Sequence, residues 1–251
     1  MTGPSVAIGY IHPGEVSAAF HMSMLKTMLH ETSRTGMPPF ILANRCASGR
    51  IIDGRNEIVR DFLDRTKADW LWFVDADMGF APDALERLLR AAHREYRPVM
   101  GALCFGLRRE GTDPETHAER FRTFPTIYVW REWDDRVGFQ VIPDYERDAV
   151  SLVSATGAAC ILIHRDVLVK IREQFGDEWF SAVTHPTGPT TFSEDMSFCI
   201  RVAACDLPIH VDSSVKTCHD KGGLFCDEHN FDRQQALDAP KPQPAETVGA
   251  A

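Results

Sequence analysis

Asp75 and Asp77 stand one residue apart, directly after the apolar run Trp70–Val74. Alternate side chains of an extended chain point to the same side, so both carboxylates face one spot as the chain leaves a strand. Two like charges there repel unless a cation lies between them. A hard divalent ion, Mn²⁺ or Mg²⁺, prefers oxygen ligands and also bridges to phosphate oxygens. A second acidic pair, Glu194 and Asp195, comes just after Ser193, a suitable helix N-cap. The helix dipole keeps a carboxylate in the first turn ionised, which suits a general base drawing a proton from a hydroxyl. His219 follows the run Ser214–Thr217 and precedes Asp220-Lys221-Gly222-Gly223. A neutral imidazole there can complete a metal shell. Lys221 and the backbone N–H groups of the glycine pair can receive phosphate oxygens. Each feature alone has an ordinary structural explanation. Together they point to metal-assisted chemistry on a phosphorylated substrate.

The elements that must position these groups follow from hydrophobic periodicity. Trp70–Val74 (WLWFV) is apolar on both faces, as in a central strand covered above and below by helices. Ser5–Ile11, Phe40–Ala43 and Pro98–Leu103 read as further strands. Between them lie helical stretches: one with Met22, Leu25 and Leu29 on its apolar face, one with Ile58, Val59, Phe62 and Leu63, and one after Pro82 with Leu85, Leu88, Leu89 and Ala92. Gly49–Arg55 reads as a loop. Alternating strands and helices imply a mostly parallel sheet flanked by helices, whose ligands bind at the carboxyl ends of the strands.

The rest of the chain is less regular. Residues 106–123 read as a long polar loop containing Arg108, Arg109, Arg120 and Arg122. Thr126–Trp130 and Gly138–Ile142 suggest a hairpin, and Val150–Ala155 and Ala159–Ile163 flank Thr156-Gly157. A helix is expected over about 165–175, and another from Ser193 with Met196, Cys199, Ile200 and Ala203 inside. Pro208–Val211 and Ser214–Thr217 read as short strands. Residues 1–231 are expected to form one domain. Residues 232–251, polar and rich in Pro and Ala, read as a disordered tail.

Composition sets outer bounds. The 251 residues carry a formal net charge of −9, which weighs against unaided binding to a polyanion. No stretch approaches the roughly 18 apolar residues of a membrane helix. No basic segment and apolar run of a secretory signal is visible, so a cytoplasmic location is expected. Seven cysteines at wide spacings read as reduced thiols. Cys218, His219, Cys226 and His229 are the one candidate zinc set, with an awkward adjacent Cys-His pair. P-loop, HExxH, GxSxG and GxGxxG patterns are absent, which removes support for kinase, zincin, serine hydrolase and dinucleotide-binding functions.

Five segments in order carry a resemblance to a known family: VAIGYIHPG near the N-terminus, DGRNEIVRDFL at 53–63, WLWFVDADMGFAPDALERLL at 70–89, VSATGAACILIHRDVLVKI at 153–171, and FSEDMSFCIRVAACDLPIHVDSSVKTCHDKGG at 192–223. The chain resembles the GT-A-fold glycosyltransferases, specifically the family-2-like group. That resemblance implies a Rossmann-like single domain and transfer of a sugar from a UDP- or GDP-linked donor. It makes Asp77 the main metal ligand, with Asp75 on the ribose or the metal and His219 as the C-terminal metal ligand. Asp195, beside Glu194, matches the catalytic base of inverting members. Arg55 and Asn56 would line the donor pocket, Gly157 would approach the donor sugar, and Tyr10 and His12 would flank the nucleotide base. The acceptor stays open among glycan, protein, small metabolite and modified nucleic acid. Two rivals remain: a sugar-nucleotide nucleotidylyltransferase, and a non-catalytic carbohydrate- or nucleotide-binding module.

Overall fold

The computed structural model describes residues 4–46, 49–134, 136–186, 188 and 190–238. The first half alternates strand and helix: β1 (Val6–His12), α1 (Ala18–Thr35), β2 (Phe40–Arg45), α2 (Ile51–Arg65), β3 (Trp70–Val74), β4 (Met78–Phe80), α3 (Ala84–Ala91) and β5 (Val99–Leu103). A strand-rich middle follows: β6 (Phe105–Thr112), β7 (Glu119–Pro125), β8 (Ile127–Glu132), β9 (Val137–Val141), β10 (Val150–Val153), β11 (Ala155–Thr156) and β12 (Cys160–His164). The chain then forms α4 (Arg165–Phe175), α5 (Glu194–Ala204), β13 (Ile209–Asp220), β14 (Phe225–Cys226) and α6 (Glu228–Asp238).

The central sheet runs in the order β10-β13-β5-β12-β3-β1-β2, with β4 and β14 pairing on β13. The pairings make β2, β1, β3, β5 and β13 run one way and β12 and β10 the other. The mostly parallel α/β sheet expected from the sequence is therefore present, with reversed β12 inserted beside β3.

Every residue of β3 is buried, which is why its sequence lacks alternation. Leu71 and Phe73 enter a core built with α2, α4 and α5 through Ile58, Phe62, Leu168 and Phe198. Trp70, Trp72 and Val74 enter a second core with α1 and α3 through Phe20, Met24, Leu85 and Leu88. This two-sided burial anchors the strand whose end carries Asp75.

Several expected elements differ. In α1 the expected inner residues Met22, Leu25 and Leu29 are exposed. The buried stripe is Phe20, Ser23, Met24, Thr27 and Glu31, and its interleaved polar residues hide the period. Gly49–Arg55 is not all loop, because α2 starts at Ile51. A Cβ on Gly54 would lie 3.1 Å from Cys46 Sγ and from Ile11 Cγ2, so glycine serves close packing there rather than a turn. Residues 106–123 form most of the β6–β7 ribbon, joined across strands by Arg109–Glu119 and Arg122–Glu110 ion pairs. Charges on both faces make such a ribbon read as loop.

In α5, Cys199 is buried as expected, but Phe198 and Val202 carry the inner face and Ala203 is exposed. The two short strands after Pro208 are one twelve-residue strand, β13, broken in register between Asp212 and Lys216. Residues 232–238 belong to α6, where Asp232 pairs with Arg147 and Asp238 with Arg122. Residues 239–251 of the expected tail lie outside the described residues.

The C-terminal end of α2 depends on one side chain. Arg165 donates to the carbonyl oxygens of Phe62, Leu63, Thr66 and Ala68 at 2.7–3.2 Å, and its guanidinium lies 4.3 Å from the Phe62 ring centre. The last carbonyls of a helix have no partner within it. Arg165→Met should therefore lower stability by about 2 kcal/mol in urea unfolding, with unchanged far-ultraviolet circular dichroism of the folded state.

Candidate active site

The end of β3 is held by a short set of backbone bonds. Asp75 N donates to Ala159 O and Met78 N to Asp75 O, which closes a tight turn over Asp75–Met78. Asp220 N donates to Asp77 O, tying that turn to β13. Antiparallel pairing of β4 with β13 sets His219 opposite Met78. The turn and the far end of β13 thus place three distant residues together: ligand atoms of Asp75, Asp77 and His219 lie within 4.8 Å of one another.

His219 is buried, and its Nδ1 lies 3.2 Å from the carbonyl oxygen of Phe105. A carbonyl only accepts, so Nδ1 carries a proton and Nε2 is the nitrogen left to face Asp77. Nε2 lies 3.1 Å from Asp77 Oδ1. This is the orientation a metal-binding imidazole needs, with its second nitrogen fixed by a backbone acceptor. Lys221 Nζ lies 3.0 Å from the other oxygen, Asp77 Oδ2. Burial pushes the Asp77 carboxyl up, but the hydrogen bond and charge of His219, with those of Lys221, outweigh it and hold the pKa at about 2.

Arg55 forms the floor. Its side chain is 4% exposed, with one terminal nitrogen 2.9 Å from Asp75 Oδ1 and the other 3.0 Å from Asp195 Oδ1. It lies 5.5 Å from the centre of the buried Phe180 ring. The guanidinium therefore joins α2, the end of β3 and the start of α5. Burial nevertheless raises the Asp75 carboxyl above its ordinary value, against the pull of Arg55, and Asp195 and Asp77 push it further. Glu194 is likewise raised, by burial first and by Asp195 next. Tyr128 of β8 is raised to about 12 by burial, with a smaller push from Asp195.

A cleft of about 470 Å³ opens onto these groups. His12, Arg55, Asp75, Asp77 and Lys221 line it, joined by Glu15, Ser17 and Ile51. Of the expected donor-binding residues, His12, Arg55, Asp75 and Lys221 are thus together. The Nδ1 atom of His12 is buried without a hydrogen-bond partner. Asp195 adjoins the cleft through Arg55.

Tyr10, Asn56 and Gly157 are not on the cleft wall. Tyr10 packs edge-on against Phe20, 5.0 Å between ring centres. Asn56 accepts from Phe180 N at 2.8 Å and donates to Ser181 Oγ at 3.1 Å, shaping the loop beneath Arg55. Gly157 lies against Thr126, where an added Cβ would meet that side chain at 3.4 Å.

Ser17, whose backbone N donates to Ala76 O, was not singled out from the sequence. Ser17 had a local signal, since it caps α1 by accepting from Phe20 N at 3.0 Å. Among the described residues, Asp75, Asp77 and His219 form the one group of potential metal ligands. Cys218, Cys226 and His229 do not assemble into a zinc site with His219. A larger hollow of about 660 Å³ along α5 holds none of the expected site residues and is walled mainly by apolar side chains such as Trp130, Phe139 and Ile200.

No protein-family model matches the sequence, and no curated protein matches it. Solved structures do. A197 from STIV superposes with a TM-score of 0.53 at 14% identity, over 90% of this chain and 91% of that one. GalNAc-T7, solved with UDP, GalNAc and Mn²⁺, superposes with a TM-score of 0.52 at 11% identity, over 88% of this chain. The fold is GT-A-like. The match covers 45% of the GalNAc-T7 chain, so this chain spans under half of that protein. At these identities the likeness concerns the fold, and the GT-A-like core is where Asp75, Asp77 and His219 meet.

Removing Arg55 tests the charge balance. In Arg55→Met, Asp75 and Asp195 lose their shared counter-charge, which should cost about 3 kcal/mol, the low end for a broken buried pair because both carboxylates are about a quarter exposed. A carboxyl raised in the fold favours its protonated form there. Its contribution is present below the ordinary value of 3.8 and lost as pH rises through the folded pKa. The variant should therefore lose more stability at neutral pH than near pH 3.8, read from denaturant midpoints across that range.

Proposed function

We propose that this chain is a metal-dependent glycosyltransferase, family-2-like, that moves a sugar from a nucleotide-diphospho-sugar to an acceptor hydroxyl with inversion. The convergence of Asp75, Asp77 and His219 at the carboxyl end of β3 carries the reading. Two carboxylates and an imidazole whose Nδ1 faces a carbonyl suit a borderline-hard divalent ion, Mn²⁺ or Mg²⁺, better than a thiolate-seeking one. Such an ion supplies charge neutralisation for a departing diphosphate. GalNAc-T7, solved with UDP, GalNAc and Mn²⁺, supports UDP as the donor nucleotide, with GDP as the other candidate.

The remaining roles belong to the chain itself. His12 faces the cleft with an unpartnered buried nitrogen, suited to hydrogen-bonding the nucleotide. Asp195, at the first turn of α5, is one guanidinium away from Asp75. It accepts the acceptor's hydroxyl proton as the acceptor oxygen bonds to the anomeric carbon. The bond from that carbon to the diphosphate oxygen breaks, and its electron pair leaves with the diphosphate. Attack from the side opposite the leaving group inverts the centre. Glu194, raised by burial, stands beside this base and orders its surroundings.

A glycan, protein, metabolite or modified nucleic acid would each supply the hydroxyl. No helix among the described residues is long and apolar enough to cross a membrane, and a cytoplasmic setting fits this reading. A nucleotidylyltransferase would use a similar fold and metal, but its glycine-rich first loop is represented here by Gly14 alone. A binding module would have no use for Asp195 across from the metal ligands.

The experiment is a thermal-shift panel of UDP- and GDP-sugars with and without Mn²⁺. A donor should stabilise the chain only with the ion, and Asp77→Asn should abolish that shift. Asp195→Asn should keep the shift and lose at least about a hundredfold in transfer or donor hydrolysis. Metal-independent shifts of equal size in wild type and Asp77→Asn would overturn the reading.

A further inference from the structure

Both oxygens of Asp77 have partners: Oδ1 faces His219 Nε2 at 3.1 Å and Oδ2 faces Lys221 Nζ at 3.0 Å. An ion gripped by Asp75, Asp77 and His219 needs an oxygen of Asp77, so lysine and metal draw on one carboxylate. The other cation of the cleft is not free to move. Arg55 is buried and divided between Asp75 and Asp195. Lys221 differs, since its side chain is 40% exposed and it lines the cleft.

The backbone under Lys221 is tied down by hydrogen bonds, and its half-exposed side chain reaches from there to Asp77. Asp220 N donates to Asp77 O, Lys221 N to Leu224 O, and Gly223 N to Asp220 Oδ1, each at 2.9 Å. Gly222 and Gly223 close this turn with φ of 69° and 92°, a region other residues avoid. A rigid turn thus holds a long flexible ammonium beside the carboxylate and within reach of the cleft.

We propose that Lys221 is a two-position cation, paired with Asp77 until a divalent ion takes that carboxylate and thereafter paired with the donor's diphosphate. This rests on the metal and donor reading above. Displaced alone, the lysine leaves one partner without gaining another, so it weakens binding of the ion by itself. When a diphosphate is present the ammonium gains phosphate oxygens, so ion and nucleotide bind more tightly together than separately. By linkage each raises the affinity for the other by the same factor.

The test is calorimetric titration of the full chain with Mn²⁺ alone, and of the Mn²⁺-loaded chain with UDP. It compares wild type, Lys221→Gln, Lys221→Ala and Asp77→Asn. The two lysine variants should bind Mn²⁺ alone about two- to fivefold more tightly, the range of a half-exposed ion pair. The same variants, loaded with Mn²⁺, should bind UDP about tenfold more weakly, as loss of a charge-assisted bond implies. Unchanged or weaker Mn²⁺ binding in both lysine variants, with wild-type binding that still depends on Asp77, overturns the exchange and leaves the metal site standing. Tighter Mn²⁺ binding without weaker UDP binding overturns the second position of the lysine. Wild-type Mn²⁺ binding that is absent or indifferent to Asp77→Asn overturns the metal reading and the exchange with it.

Discussion

Acidic groups crowd the carboxyl end of β3, and the cations set among them make the crowding tolerable. Asp75, Asp77, Glu194 and Asp195 all feel the same buried guanidinium, that of Arg55. At about 4 Å and an effective dielectric near 20, two like charges repel by about 4 kcal/mol. Arg55 offsets this for Asp75 and Asp195, while His219 and Lys221 do so for Asp77. Even so, the Asp75 carboxyl remains pushed upward.

The scaffold meets this electrostatic demand by rigidity. β3 is buried on both faces, so its end moves only if two cores move with it. β13 reaches across the sheet, shifts register between Asp212 and Lys216, and continues beside β4. That irregularity lets a strand three places from β3 in the sheet bring His219, and Lys221 just after it, to the turn after β3. The reversed strand β12 contributes too, because Ala159 just before it accepts from Asp75 N. Asp75, Asp77 and His219 are thus held at the ends of β3 and β13 by backbone bonds that tie the turn after β3 to both β12 and β13.

Local sequence carried much of this. The unbroken apolar run Trp70–Val74 ending in Asp75-Ala76-Asp77 indicated a buried strand delivering two carboxylates, and helix α5 begins at Glu194 after Ser193. Elements with mixed inner faces were harder to read. Ser23, Thr27 and Glu31 interrupt the buried stripe of α1, and paired charges disguise β6 and β7 as loop. The facing strand supplies the charge partners of β6 and β7, and Phe80 N is the hydrogen-bond partner of Ser23, so the local pattern lacks that information.

The sequence by itself determined which residue types face a common side after β3, and that strands and helices alternate through the first half of the chain. Those properties depend on neighbours a few positions away, where the periods of strand and helix operate. Only the tertiary structure decided that Arg55, in what reads as a loop, is the buried link between Asp75 and Asp195. It also decided that His219 turns Nδ1 to Phe105, and that Asn56 and Tyr10 support the wall rather than line it. These outcomes join residues as much as 140 positions apart, and no periodicity reports which charges a folded sheet will bring face to face.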